Sequence, residues 1–305
     1  MATVKMATVC MPSDPRDKSV NLSKMVSFVE QAAERGVDLL VFPEEALNGV
    51  GTVSMQQYNG EDKEYTIKAA ELVPEGDSVQ TFVKLAKKHD MYIVWSMAER
   101  DSDRFDATYN TAVLVGPEGY IGKYRKVHLP LCERLIHYPG LGDYPVFDTR
   151  IGKIGLEICF DKCFPEVARS LALKGAQIIV NPICWPNVSG TLDDPDHKVH
   201  LIMGQARALD NMVFFIDANQ CGPFMEGHSQ IIGPNPGQIL ATTGFDEGMA
   251  VAEADIEQEI INARVHSMGG SDLLKDRKPG TYGEVVKPNP FNPIHGGRIV
   301  EGSAV

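Results

Sequence analysis

The chain alternates short apolar runs with amphipathic stretches of helical period. Val4 to Cys10, Val37 to Phe42, Met91 to Met97, Ala176 to Val180 and Met212 to Ala218 are predominantly apolar segments of strand length. Runs of this kind predict strands covered on both faces. Between the first two, Leu22, Met25, Val26, Val29, Ala32 and Ala33 form one helical stripe, with Asn21 as the expected N-cap and Gly36 as the stop. Val79, Phe82, Val83 and Ala86 predict a second helix, capped by Asp77 or Ser78. Val167 to Leu173, His197 to Leu209 and Ile256 to Val265 predict three more.

Two hairpins break this rhythm. Thr111 to Val115 and Tyr120 to Tyr124 flank Gly116-Pro117-Glu118-Gly119, and Ser229 to Ile232 and Gln238 to Ala241 flank a Gly-Pro-Asn-Pro-Gly turn. Met249 to Ala254 reads as the last strand. Strands alternating with helices but interrupted by hairpins imply an α/β chain with mixed rather than purely parallel sheets. Residues 50–75 read as an inserted loop carrying one helix, and 187–196 as a polar loop. No linker divides the chain. One domain over 1–274 is expected, followed by a Pro- and Gly-rich tail, 275–305, with too few apolar residues to pack by itself. The tail is expected as an extended arm lying on the domain or on a partner subunit.

Composition narrows the classes. The 305 residues are 43% hydrophobic and 23% charged, enough for a large core. A net charge of −12 argues against nucleic acid as a partner, and no basic helix is present for a membrane surface. No apolar run approaches the roughly 20 residues that span a bilayer. The start, MATVKMATVCMPSDP, reads as a strand rather than a signal peptide. Six cysteines are too few for a disulfide scaffold, so free thiols in a reducing cytoplasm are expected.

The chemistry gathers at strand ends. Ile154 to Ile158 delivers Cys159 to a sharp break, and Phe164-Pro165 then opens a helix. A thiol on a strand-to-helix turn is exposed at the sheet edge, with backbone N–H groups pointing the same way. Glu44 follows the second strand, and Lys126 follows the first hairpin. Each alone reads as surface. Together they supply what amide hydrolysis by a thiol needs: an ammonium to stabilise the thiolate, a carboxylate to shuttle the proton, and oxyanion donors in Lys126 and the Phe160 N–H.

The segments Val-Phe-Pro-Glu-Glu, Lys-Tyr-Arg-Lys-Val-His-Leu-Pro and Gly-Leu-Glu-Ile-Cys-Phe-Asp-Lys-Cys-Phe-Pro-Glu, in that order and spacing, resemble the three motifs of the nitrilase superfamily of carbon–nitrogen hydrolases. The likeness continues through NPICWP, HSQIIGPNPGQIL and LLKDRKPGTY, so it covers nearly the whole chain. It implies a four-layer α-β-β-α sandwich and a triad of Glu44, Lys126 and Cys159 with no metal or other cofactor. Glu133 fits the place of a further glutamate near the site, and Glu45 is expected to point away from it. The resemblance also implies a homodimer or higher homo-oligomer, paired through helices beside the Cys159 turn.

Phe160-Asp161 after the nucleophile matches the amidase and carbamoylase branches, whereas true nitrilases tend to carry Trp-Glu there. The expected substrate is therefore a small amide or N-carbamoyl (ureido) compound. A nitrile is the alternative substrate, and a silent binding protein of the same fold has no reason to keep Glu44, Lys126 and Cys159 together. Trp185 is expected in the pocket wall beside Phe160, and residues 52–72 and 186–200 as lining loops. A carbamoyl amino acid would need an Arg or Lys anchor, which the sequence does not single out. Asp161 reads as a turn-capping carboxylate. His128 reads as a structural hydrogen-bonding residue. Cys163, with three residues between it and Cys159, lacks redox-motif spacing, and His197 and His200 lack a third metal ligand.

Overall fold

A computed structural model describes residues 3–49, 58–187, 195–223 and 225–287. Two six-stranded mixed sheets pack face to face, with helices outside each. The strands are β1 (Val4–Cys10), β2 (Leu39–Val41), β3 (Tyr92–Arg100), β4 (Thr108–Gly116), β5 (Gly119–Arg125), β6 (Val146–Thr149), β7 (Gly152–Leu156), β8 (Ile178–Ile183), β9 (Phe214–Asn219), β10 (Gln230–Ile232), β11 (Ile239–Thr242) and β12 (Gly248–Ala254). The helices are α1 (Lys18–Glu34), α2 (Gly60–Ala69), α3 (Asp77–His89), α4 (Glu133–Ile136), α5 (Pro165–Leu173), α6 (Pro195–Asn211) and α7 (Ile256–Val265).

The sheet orders are β12-β1-β2-β3-β4-β5 and β11-β10-β9-β8-β7-β6. Each has a parallel centre, β1-β2-β3 or β7-β8-β9, extended by antiparallel hairpins. The strands are predominantly apolar because most of their residues have something to bury against. Met6, Leu39, Val41, Tyr92 and Val94 face the second sheet, where Ile154, Leu156, Ile178, Val180 and Phe214 meet them. Their neighbours Ala7, Leu40, Phe42, Ile93 and Trp95 face α1 and α3. On the second sheet, Ile179, Phe215 and Ile232 face Val167, Leu171 and Ala208 of α5 and α6. The period of two therefore splits every central strand between two cores. The expected α-β-β-α sandwich is what the chain forms.

Several sequence expectations change in detail. The N-cap of α1 is Asp17, whose side chain accepts from the Val20 N–H, and not Asn21. Asn21 is instead fully buried inside the helix. Its Oδ1 accepts the Asp14 N–H at 2.7 Å, and its Nδ2 donates to the carbonyls of Asp14 at 2.9 Å and Leu47 at 3.2 Å. Gly76, not Asp77 or Ser78, caps α3, because Ser78 is drawn to Glu71. Strand β6 carries no strong apolar signal and has no counterpart in the sequence reading. The described part of the tail forms 3-10 turns, Pro279–Thr281 and Gly283–Val286, as its Pro-Gly and Tyr-Gly pairs favour, rather than a fully extended arm. Residues 288–305 lie outside the described residues. No helix among the described residues is long and apolar enough to cross a membrane.

Asn21 ties the start of α1 to the segment that follows β2, which carries Glu44. Asn21→Ala removes three hydrogen bonds and leaves the buried Leu47 carbonyl without its side-chain donor. The expected destabilisation is about 2–4 kcal/mol in urea unfolding, with the m-value unchanged.

Candidate active site

The strands of both sheets end at one place. Beyond β2, the Phe42 N–H donates to Val94 O at 2.8 Å, while the Glu44 N–H crosses to Ile183 O of β8 at 3.2 Å. Gln220 Nε2 donates to Glu44 O at 2.8 Å. The Glu44 backbone is therefore clamped by both sheets. Lys126 follows β5, its N–H on Asn110 O at 2.9 Å, and its side chain is completely buried.

Lys126 Nζ lies 2.6 Å from Glu44 Oε1 and 2.6 Å from Glu133 Oε2. A buried ammonium needs this compensation, since removing the charge from water is costly by several kcal/mol. Burial works against the Lys126 charge, but Glu133 first and Glu44 second override it, so its pKa stands well above the usual lysine range. Glu133 is pushed up to about 7, by burial foremost and by the nearby Glu44 charge, with Lys126 opposing.

Asn110 binds the two carboxylates together. Its Nδ2 donates to Glu44 Oε1 at 2.7 Å and to Glu133 Oε1 at 2.8 Å. Its Oδ1 accepts from Ser96 Oγ at 2.7 Å, and that oxygen accepts the Glu45 N–H at 3.0 Å. Among the described residues Glu44 Oε2 has no hydrogen-bond partner, and the Cys159 thiol lies beside this carboxylate. Glu45 turns from Lys126 to His137 Nε2, 2.8 Å away, with both side chains buried. Burial opposes a charge on His137, but Glu45 overrides it and raises the imidazole's pKa. His137 caps α4, so this pair ties the Glu44 segment to the turn that carries Glu133.

Cys159 opens a 3-10 turn, Cys159–Cys163, with φ at +49°. That left-handed conformation costs a non-glycine residue about 1 kcal/mol. Asp161 holds it. Asp161 Oδ2 accepts the Ile158 N–H at 3.1 Å, and the Asp161 N–H donates back to Ile158 O at 3.0 Å. The same carboxylate accepts Tyr124 Oη at 2.8 Å, and its Oδ1 lies 3.1 Å from the His128 N and 2.7 Å from His128 Nδ1. Asp161 thus caps the turn as the sequence suggests, and also fixes it to the strand that delivers Lys126. His128 stacks on Phe164 and hydrogen-bonds Asp161, the structural role expected of it. Burial and the Glu44 charge push the Cys159 thiol well up, while Lys126 and the Cys184 N–H pull it down. The thiol therefore rests protonated, beside the Glu44 carboxylate.

Cys159 opens into a cavity of about 450 Å³. Its described wall is Leu129, Pro130, Leu131, Phe160, Trp185 and Pro186, with Arg134 as the one charged member. Phe160 and Trp185 stand where the sequence reading put them. Of the expected lining loops only Pro186 contributes, and much of both loops lies outside the described residues. His200 hydrogen-bonds Lys162 at 2.7 Å, and the His197 side chain lies outside the described residues. All six cysteines are unpaired. Among the described residues no three His, Cys, Asp or Glu side chains converge to hold a metal ion.

Sequence reasoning passed over Asn110 and His137. Asn110 sits inside β4, which begins three residues before the apolar run that marked it, at Thr108. A polar side chain paired with Thr111 ahead of a purely apolar run was the available signal.

A two-sheet α-β-β-α sandwich with a buried carboxylate–ammonium–thiol cluster at its strand ends defines a class of hydrolases. The carbon–nitrogen hydrolase family model matches residues 5–263, and the chain belongs to that family. It is 34% identical to a nitrilase from Pyrococcus abyssi (strain GE5 / Orsay), over 92% of this chain and 99% of that one. It is 31% identical to omega-amidase NIT2-B from Xenopus laevis, over 79% of this chain and 84% of the relative. Nit3 of Saccharomyces cerevisiae, a member of branch 10 of the nitrilase superfamily, superposes with a TM-score of 0.75 at 28% identity, covering 89% of this chain and 96% of that one.

One further carboxyl lies just before the Cys159 turn. Glu157 is fully buried, and among the described residues neither of its oxygens has a hydrogen-bond partner. Burial first, then the charges of Asp161 and Asp217, push its pKa well up, against Arg207 and Lys162. The folded chain therefore holds a proton on Glu157 that the unfolded chain releases above about pH 4.3. Stability from this group falls as pH rises from that point toward the raised value, by up to about 1.4 kcal/mol per pH unit. Glu157→Gln removes the slope. Thermal melts at pH 5 and pH 8 are expected to show the variant gaining on wild type at the higher pH; a constant difference would contradict the assignment.

Proposed function

We propose that the chain hydrolyses the C–N bond of a small amide or ureido compound through a thioester on Cys159, releasing ammonia. The observation that carries this reading is the position of Glu44. One oxygen is held by Lys126 and Asn110, the other has no partner among the described residues, and the Cys159 thiol lies beside this carboxylate. Glu44 takes the thiol proton as sulfur attacks the substrate carbon. Negative charge develops on the carbonyl oxygen, and Lys126 with the Phe160 N–H at the start of the turn stabilises it. Glu44 returns the proton to the nitrogen, the C–N bond breaks, and ammonia leaves. Water then gives a proton to Glu44 and attacks the thioester; the acid departs as the proton returns to sulfur. Glu133 holds Lys126 in place. The reaction uses no added cofactor.

Relatives named amidase support the amide reading, and the Phe160-Asp161 pair after the nucleophile favours it over a nitrile. The relative named nitrilase keeps the nitrile as the second reading. A nitrile gives a linear thioimidate that must admit water before nitrogen leaves, so the two readings differ after the first step.

We also take the chain to work as a homo-oligomer in the cytoplasm. The described tail lines, with α5, a cleft of about 740 Å³. Leu173, Val285 and Val286 are exposed around this part of the molecule, at 50%, 59% and 82%, as a surface awaiting a second copy would be.

Four measurements check the reading. Cys159→Ala should leave less than about 1% of wild-type ammonia release with its circular dichroism unchanged. Glu44→Gln should lower kcat by roughly 10² to 10⁴. Glu45→Gln should lower kcat far less but reduce Tm, because it breaks the buried pair with His137; the reverse ranking would move the proton shuttle to Glu45. Against matched substrates, kcat/KM for an aliphatic amide or ureido acid should exceed that for the nitrile at least tenfold, about 1.4 kcal/mol. A nitrile turned over faster than every amide and ureide would favour the second reading.

A further inference from the structure

A second buried ammonium lies near the cavity but is not part of its described wall. Lys162 belongs to the 3-10 turn that Cys159 opens, and its side chain has no exposure. Its Nζ lies 2.7 Å from His200 Nδ1, 3.2 Å from Asp217 Oδ2 and 3.4 Å from His200 O. It also stands 5.0 Å from the centroid of the Trp185 ring. An ammonium only donates, so His200 Nδ1 is the acceptor, and the imidazole proton sits on Nε2, which faces His228 O at 3.4 Å. Asp217 is fixed in turn, its Oδ1 accepting from Asn181 Nδ2 at 2.8 Å. Helix α6 can approach these groups because residue 204 is glycine; a Cβ there would lie 2.7 Å from Asp217 Oδ2.

Trp185 is held at its backbone, where its N–H donates to Asn219 Oδ1 at 2.8 Å and its carbonyl accepts the Glu226 N–H at 3.0 Å. Its ring stacks on His200 with centroids 6.0 Å apart, and it lines the cavity over Cys159, which His200 and Lys162 do not. A buried ion pair often stabilises a fold no better than apolar side chains of the same volume. Stability alone therefore does not account for Lys162 and Asp217. What a fixed ammonium adds is direction, because it attracts an aromatic ring at short range.

We propose that Lys162 is a positioning residue: its ammonium, fixed by Asp217 and His200, holds the Trp185 ring in the cavity wall and ties that wall to the Cys159 turn. The effect on turnover rests on the hydrolase reading above; the placement of the ring does not. Lys162 acts on a substrate through Trp185. A wall contact is made in ground state and transition state alike, so its loss belongs in KM rather than kcat.

The test uses the full chain. Lys162→Met with Asp217→Asn removes both charges and leaves no carboxylate buried alone; it is made with Trp185 present and with Trp185→Leu. With butanamide as substrate and Trp185 present, the double change should raise KM about tenfold and leave kcat within about threefold. In the Trp185→Leu background, where no aromatic face remains, it should move KM by less than about twofold. Equal KM shifts in the two backgrounds, or a loss confined to kcat, would overturn the positioning role and leave the hydrolase reading intact. Lys162→Gln, which keeps donors beside Asp217 without the charge, is read the same way and serves if the double change does not fold. Acrylamide quenching reads the ring without turnover, since subtracting the emission of each Trp185→Leu protein removes that of Trp95, the other tryptophan. The Trp185 quenching constant should rise at least about twofold when Lys162 is neutralised. Butanamide that yields no ammonia would count against the hydrolase reading, and quenching alone then decides the placement: a rise supports it, and an unchanged constant overturns it.

Discussion

The buried Lys126 ammonium is the constraint from which the rest of the site follows. A charge with no exposure at all must be neutralised at close range, and here two carboxylates at 2.6 Å do so. They come from the end of β2 and from α4, and Asn110 of β4 hydrogen-bonds both. Removing any one of these groups would leave another buried without compensation, so the cluster forms as a unit. Its consequence for chemistry is geometric. With Oε1 of Glu44 fixed, Oε2 has no partner among the described residues, and the Cys159 thiol lies beside the carboxylate.

Asp161 makes the second half of the same device. It supports the left-handed backbone at Cys159 and, through Tyr124 and His128, joins that turn to the strand leading to Lys126. Sulfur and ammonium are thus held by one carboxylate that touches neither. The thiol rests in its protonated form because burial and Glu44 outweigh Lys126. A protonated thiol beside a proton acceptor is quiet until substrate fills the cavity, which suits a nucleophile that must resist chance oxidation.

The layers and the three residues proposed to react could be read from the sequence because both rest on strong local signals. Buried central strands are predominantly apolar, and Glu44, Lys126 and Cys159 each stand just beyond the end of a strand. The second tier was harder. Asn110 precedes the apolar run of its own strand, and His137 and Glu45 meet across 92 positions of chain, a separation no local pattern reports. Asn21 shows the opposite failure: a good capping residue by type, it was claimed by tertiary hydrogen bonds inside the helix while Asp17 took the cap. Phe160 and Trp185 line the cavity, but Leu129, Pro130 and Leu131, from the segment after Lys126, were not singled out, because a short apolar stretch beyond a strand does not by itself show that it faces the sulfur.

The covalent role of Cys159 is the centre of this picture, and rapid acid quenching tests it most directly. Protein mixed with a slowly hydrolysed amide is stopped at intervals through the first turnover, weighed intact, and mapped by proteolysis. A species heavier by the acyl group should rise with ammonia release, decay as the acid forms, and carry its added mass on the peptide containing Cys159. Product formed with no such species, or added mass on the peptide of Cys184 or Cys221, would contradict it.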